Sequence, residues 1–236
     1  MSHLNDAALV REQYATEKNL QSRQALWREM SGGDPLVTLW DAIVACKPRN
    51  VLEVGGGEGK LAARVRDELG ADVTLVDLSP RMVEVAAERG VRAQVADVQD
   101  LPFENASFDT VLASWMLYHV PDLDRGLAEI ARVLESGGKL VANTNSMDHC
   151  RELFDLIEYP TESRQFTFRS ENGEESLRRH FSDVERHDVV AQATVRDRQT
   201  LVDYRASLMV ETKPVPEVVE LPFIIHSRGT VFVATK

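Results

Sequence analysis

The chain has 236 residues, with 27 Lys plus Arg against 38 Asp plus Glu, six His and two Cys. At 43% hydrophobic and 28% charged it has a globular composition, long enough for one good-sized core. The formal charge of −11 speaks against nucleic-acid and anionic-membrane partners, and Cys46 and Cys150 are too few for a disulfide framework or a Cys-rich zinc site.

No window approaches the roughly 20 apolar residues that cross a bilayer, and the opening "MSHLNDAALVREQY" is too polar for a signal peptide. A cytoplasmic location is the expectation. Residues 1–31 read as helical, with Val10, Tyr14, Trp27 and Met30 among charges and Gly32-Gly33 as the stop. Asp34 then caps a helix to Cys46, with Pro35 at its first position. From residue 50 strands and helices alternate. Strands are expected at 50–54, 72–77, 92–97, 108–114 and 139–145, with helices over 58–69, from Pro80 to Gly90, and through Leu123, Leu127, Ile130 and Leu134. Units of this length call for a parallel sheet with helices on both faces. Ligands then bind outside the carboxyl ends of the strands, where the strand order reverses. Beyond 146 the pattern predicts a helix at 148–158, a strand near 164–169, a helix at 172–181, a strand around 184–195, a helix near 199–209 and a last strand at 223–235.

The strongest motif is "VLEVGGGEGK", followed by an acidic residue at the end of each of the next two strands, Asp77 and Asp97. The phosphate-binding G-x-x-x-x-G-K-[ST] loop fails twice, because Val54 holds its first position and Leu61 follows Lys60. The dinucleotide fingerprint fails from Gly55, where Lys60 holds its sixth position; from Gly57 it finds Ala62, which it tolerates. What fits is G-x-G-x-G at Gly55, Gly57 and Gly59.

With "LPFENASFDTVLASWMLYHV" and "LAEIARVLESGGKLV" in order behind it, this loop resembles motif I of the class I S-adenosylmethionine-dependent methyltransferases. The likeness runs over residues 50–145, and is greatest to the small free-standing enzymes of quinone and natural-product biosynthesis. Gly56 stands where that family often has Cys or Ser, and Ser136 replaces the usual Pro of its "xPGG" turn. The resemblance implies a single α/β domain over 1–236: a doubly wound, Rossmann-like, seven-stranded sheet, mostly parallel with an antiparallel last strand. Residues 1–46 would be a helical lid, 50–145 the cofactor-binding core, and 146–236 the substrate-side wall and C-terminal strands.

The chemistry of the cofactor gives each residue a reason. Gly55 and Gly57 let the backbone approach closely. Asp77 has two oxygens for a ribose diol. Asp97 can accept from the adenine amine while the Val98 amide donates to a ring nitrogen, with Leu78, Met82 and Val98 around the base. The plainer readings are that Asp97 is a solvated loop carboxylate and Asp77 a helix cap in place of Ser79. Glu53 matches an acidic position of the family, reaching the methionyl ammonium through water, and Ser114 is placed for the same amino-acid moiety. In the lid, Tyr14 would touch cofactor or simply pack with Leu20, Trp27 and Met30 on one helix surface, and Arg23 would pair with the methionyl carboxylate or with an acidic substrate.

Methyl transfer from a sulfonium needs alignment, a dry pocket and, where the acceptor must lose a proton, a base. His119 in "MLYHVPD" is the leading candidate base, its plainer reading a hydrogen bond to the loop, with Tyr118 beside it and His149 on the rim. Trp115, Met116, Phe154, Phe166 and Phe168 would wall a planar or lipophilic acceptor. No pair of residues has metal-ligand spacing. The expected function is methyl transfer from S-adenosyl-L-methionine, leaving S-adenosyl-L-homocysteine, to O, N or C of a small molecule, by a monomer or homodimer. A catalytically silent cofactor-binding subunit and an NAD-dependent oxidoreductase are the rivals.

Overall fold

The computed structural model describes residues 18–160, 167–208 and 210–236. Tyr14, Phe166, residues 1–17 of the expected lid and residues 164–166 of an expected strand lie outside these.

The strands among the described residues are β1 (Met30–Gly32), β2 (Asn50–Val54), β3 (Asp72–Asp77), β4 (Arg92–Val95), β5 (Phe108–Ser114), β6 (Leu134–Asn145), β7 (Asp183–Val195) and β8 (Phe223–Thr235). They form one sheet in the order β1-β7-β8-β6-β5-β2-β3-β4. β2 to β6 are mutually parallel, β8 runs antiparallel between β6 and β7, and β1 pairs antiparallel with β7. The helices are α1 (Lys18–Ala25), α2 (Pro35–Cys46), α3 (Lys60–Leu69), α4 (Pro80–Glu88), α5 (Leu123–Val133), α6 (Arg151–Leu156), α7 (Gly173–Leu177) and α8 (Arg198–Ala206).

β2 shows why this sequence makes a central strand. Val51, Leu52 and Val54 are fully buried, so both faces of the strand are covered. Val51 joins a core with Leu39 and Ile43 of α2 and Val65 of α3, while Leu52 and Val54 join the opposite core with Leu127 and Ile130 of α5. The chain goes outward from β2 to β3 and β4, then returns to the other flank of β2 as β5. The order therefore reverses between β2 and β5, which opens a crevice above their carboxyl ends.

Three expectations change. The helix expected through residue 31 ends at Ala25, because Met30–Gly32 is recruited as an eighth strand. There the Gly33 amide donates to the Val190 carbonyl (2.9 Å), and Gly32 takes a φ of +86° that permits the turn. β6 begins at Leu134 rather than at Lys139, its first turn tied to the C-terminus by Gly137 N–H donating to the Lys236 carbonyl (3.2 Å). Residues 167–169 are not a strand. There the Asn172 side chain bonds across the bend, accepting from the Arg169 amide (2.8 Å) and donating to the Thr167 carbonyl (3.1 Å).

Candidate functional site

A cavity of about 730 Å³ opens at the carboxyl ends of the parallel strands. Its floor carries the last residues of four of them or their immediate followers: Glu53 of β2, Asp77 of β3, Ala96 after β4 and Ser114 of β5. Arg23 and Gln24 of α1, with Trp27 just beyond it, line it from above.

The glycine loop is shaped by positive φ values, +60° at Gly55, +53° at Gly57 and +71° at Gly59. A Cβ at Gly55 would lie 2.8 Å from the Met116 Cβ, and one at Gly59 would lie 2.8 Å from the Ala86 Cβ. Those two glycines are needed by the protein's own packing. At Gly57 a Cβ would meet nothing within 4 Å, so its open space faces no neighbouring group of the chain. Asp77 holds the loop, its Oδ2 accepting from the Gly57 amide (2.9 Å) and its Oδ1 from the Ser79 amide (2.8 Å). Ser79, not Asp77, caps α4, with its Oγ accepting from the Met82 amide (3.4 Å). Burial raises the Asp77 carboxyl above its ordinary range, and the two amide bonds oppose that rise. A carboxylate offers about four acceptor positions, so two amides leave capacity toward the cavity.

Asp97 is oriented by Gln99, whose backbone amide (2.9 Å) and side-chain amide (3.1 Å) both donate to its Oδ1. Gln99 in turn accepts from the Asp122 amide (3.0 Å) at the start of α5. Leu78 and Val98 line the cavity between the two carboxylates. Met82 does not: it is fully buried and absent from the lining. With Val85 and Ala86 it makes the i, i+3, i+4 stripe by which α4 packs on the sheet, which corrects its placement beside the base.

Glu53 is 2% exposed, and its Oε2 has no hydrogen-bond partner among the described residues. Burial pushes its pKa up to about 8, the Ala62 backbone amide opposes this, and the Asp77 charge adds to it.

Beyond β5 the chain is held in an unusual conformation. Trp115 has a φ of +51°, uncommon for a bulky residue. Its amide donates to Asn143 Oδ1 (3.1 Å) and its indole to Asn145 Oδ1 (3.0 Å), so β6 holds it there. A 3-10 turn over Leu117–His119 follows, and brings Tyr118 and His119 to the wall with ring centroids 4.5 Å apart. His149 also lines the cavity, its Nδ1 3.3 Å from Ser227 Oγ and its ring 5.5 Å from that of Trp27. Burial pushes its pKa down to about 4, so its imidazole is neutral near pH 7.

Thus Arg23, Glu53, Gly55, Gly57, Asp77, Leu78, Asp97, Val98, Ser114 and His119 come together around one cavity, while Tyr14 lies outside the described residues. Of the expected apolar wall, Trp115 and Met116 take part, whereas Phe154 and Phe168 are core residues, Phe168 packing on Phe232 at 5.7 Å. The sequence reading missed Trp40, Arg64, Asn145, Tyr204 and Ser227. Arg64 stacks 3.7 Å from the Trp40 ring across two helices, and Tyr204 arrives on α8. No local motif marks either residue.

The model of a methyltransferase domain family matches residues 52–142, the span that carries Glu53, the glycine loop, Asp77, Asp97 and His119. Over residues 52–142 this chain is similar to a methyltransferase domain. The ubiquinone/menaquinone biosynthesis C-methyltransferase UbiE of Brucella anthropi is 37% identical over 100 residues, 38% of this chain and 38% of its own length. The O-methyltransferase cnsE of Penicillium expansum is 39% identical over 108 residues, 42% of this chain and 39% of its own. The chain thus spans less than half the length of these curated relatives. Among solved structures, a Thermotoga maritima SAM-dependent methyltransferase, described as a possible histamine N-methyltransferase, superposes with a TM-score of 0.60 at 21% identity and covers 100% of both chains. That likeness extends the methyltransferase fold over β7 and β8, beyond the matched domain.

Proposed function

We propose that this protein transfers a methyl group from S-adenosyl-L-methionine to an O, N or C atom of a small-molecule acceptor. The observation that carries the reading is the Gly57–Asp77 pair. A glycine with nothing within 4 Å of its Cβ direction lies against a carboxylate with acceptor capacity left over, at the sheet's switch point. The cofactor, when bound, supplies a methyl carbon on a sulfonium that any aligned nucleophile can displace.

The chain's own residues hold and orient. Gly55 and Gly57 admit close backbone approach, and Asp77 accepts the ribose hydroxyls. Asp97, fixed by Gln99, accepts from the adenine amine; the Val98 amide donates to the ring; Leu78 and Val98 flank it. Glu53 and Ser114 receive the amino-acid end. Arg23 adds a positive charge from α1, for the methionyl carboxylate or for an acid on the acceptor. His119 takes a proton where the acceptor must lose one, and it is dispensable where the acceptor is already nucleophilic. Trp27, Trp115, Tyr118 and Tyr204 keep water from the reacting centre. No helix among the described residues is long and apolar enough to cross a membrane. The charge of −11 weighs against nucleic-acid and anionic-membrane partners, and a cytoplasmic monomer or homodimer completes the proposed reading.

Incubation with methyl-labelled S-adenosylmethionine and a fractionated metabolite extract tests the reading. Label in a small molecule supports transfer. Product binding without label in any fraction identifies a silent cofactor-binding subunit instead.

A further inference from the structure

Glu53 sits on the floor of the cavity in a place that a carboxylate would not choose. Its carboxyl carbon lies 2.8 Å from where a Gly56 Cβ would be, and the Leu75 side chain presses on the same point. It is therefore wedged beneath the loop, against an apolar side chain, with Oε2 unpartnered among the described residues. The cations of the neighbouring helix α3 are engaged elsewhere. Lys60 pairs with Glu58 (2.5 Å), and Arg64 pairs with Glu68 (2.9 Å) while stacking on Trp40. From β3 the facing charge is that of Asp77, which repels a second anion. Asp97 beyond β4, Asp34 at the start of α2, Arg23, Tyr118, His119, His149 and Tyr204 are the other charged or titratable groups around the space.

Burying an unpaired charge is costly, whereas a neutral carboxyl in the same place is tolerated. The ordinary route to that neutrality is to keep the proton, and burial holds the Glu53 pKa near 8. An arriving ammonium reverses the balance, because a cation within about 4–6 Å favours the charged form of a carboxyl.

We infer that Glu53 is a carboxylic acid in the empty site and a carboxylate in the loaded one, so that the protein exchanges one proton for the ammonium of the cofactor's amino-acid tail. The inference rests on the cofactor reading above and specifies how its charged end is recognised. The exchange balances: the Glu53 O–H bond breaks, the proton passes to solvent, and the carboxylate left behind pairs with an ammonium. The empty protein then holds no uncompensated charge at this point, and only a ligand bringing a cation draws one out. Binding accordingly tightens about tenfold per pH unit below pH 7 and levels off above pH 8.

Calorimetric titration of the full chain with S-adenosylhomocysteine at pH 7, in phosphate and in Tris, reads the proton directly from the difference in apparent enthalpy. The expected result is release approaching one proton per site. Release is expected to be near zero for Glu53→Gln, and near zero for wild type titrated with 5′-methylthioadenosine, which lacks the amino-acid tail. Binding without release, or the same release in Glu53→Gln or with methylthioadenosine, overturns the inference while leaving the cofactor reading intact. Failure of both ligands to bind overturns the cofactor reading itself. A second measurement needs no variant: in difference infrared spectra of protein carrying isotope-labelled glutamate, the labelled carboxylic-acid band should vanish when S-adenosylhomocysteine is added. Its persistence in the saturated complex contradicts the exchange.

Discussion

Asp77 ties the integrity of the loop to the proposed recognition, because the carboxylate that accepts from Gly57 and Ser79 also lines the cavity. Asp77→Ala removes both amide acceptors and the proposed ribose contact. Charge-assisted bonds of this kind contribute about 1.5–3 kcal/mol each, so S-adenosylhomocysteine should bind roughly 100-fold more weakly by calorimetry. Unchanged affinity would remove Asp77 from the site. Glu53 gives a second prediction at this scale, on stability without ligand. Its pKa is about 8 in the fold against 4.5 ordinarily, so between those values the native state holds a proton that the unfolded chain has lost. Its contribution is fully present below pH 4.5 and is lost as pH rises through 8. Glu53→Gln, which never ionises, should therefore gain in Tm over wild type as pH goes from 5 to 9. A gap that stays constant or narrows contradicts the assignment. These residues were legible because strand ends are marked by apolar runs that stop at an acid or a glycine. Met82 was misplaced because an apolar residue two positions into a helix can face a ligand or the core, and only the packing of α4 decides between them.

The glycine loop and the turn after β5 make the element-scale case. Gly57→Ala should cost the empty protein only about 1 kcal/mol, the strain of the left-handed backbone, since no neighbour opposes its Cβ. Its affinity for S-adenosylhomocysteine should fall by far more than its stability. If thermal melts and calorimetry show losses of equal size, the space at Gly57 is not where the cofactor lies. The turn that follows β5 depends on Asn145, which accepts the Trp115 indole hydrogen (3.0 Å). Asn145→Ala leaves that donor unpaired behind a strained backbone and should destabilise the fold by about 1–3 kcal/mol in denaturant unfolding. No change would mean that the left-handed Trp115 is held by other contacts. The sequence announced β2, β3 and β5 clearly, since buried parallel strands are continuous apolar runs bounded by glycine, proline or a cap. It did not announce β1. A strand of three residues, Met30–Gly32, has no period of its own and exists only because β7 offers it an edge.

For the whole molecule, the five parallel strands and the position of the crevice are legible in the amino-acid sequence, because strand–helix alternation admits few topologies. The far wall of the cavity, where we propose the acceptor binds, is not. Arg23, Trp27, His149, Tyr204 and Ser227 come from α1, the segment after it, the turn after β6, α8 and β8, and they meet only once β8 inserts antiparallel between β6 and β7. All five lie outside residues 52–142, the span that the family model matches. The net charge of −11 suits a cationic cofactor, and the acids proposed to bind it lie at the ends of β2 and β3 and just beyond β4. The most direct test is a calorimetric titration of the full chain with S-adenosylhomocysteine and, separately, with NADH. One site saturated by S-adenosylhomocysteine and no heat from NADH is the predicted result. Saturable NADH binding with no response to S-adenosylhomocysteine would contradict a methyltransferase and make the glycine loop a dinucleotide site.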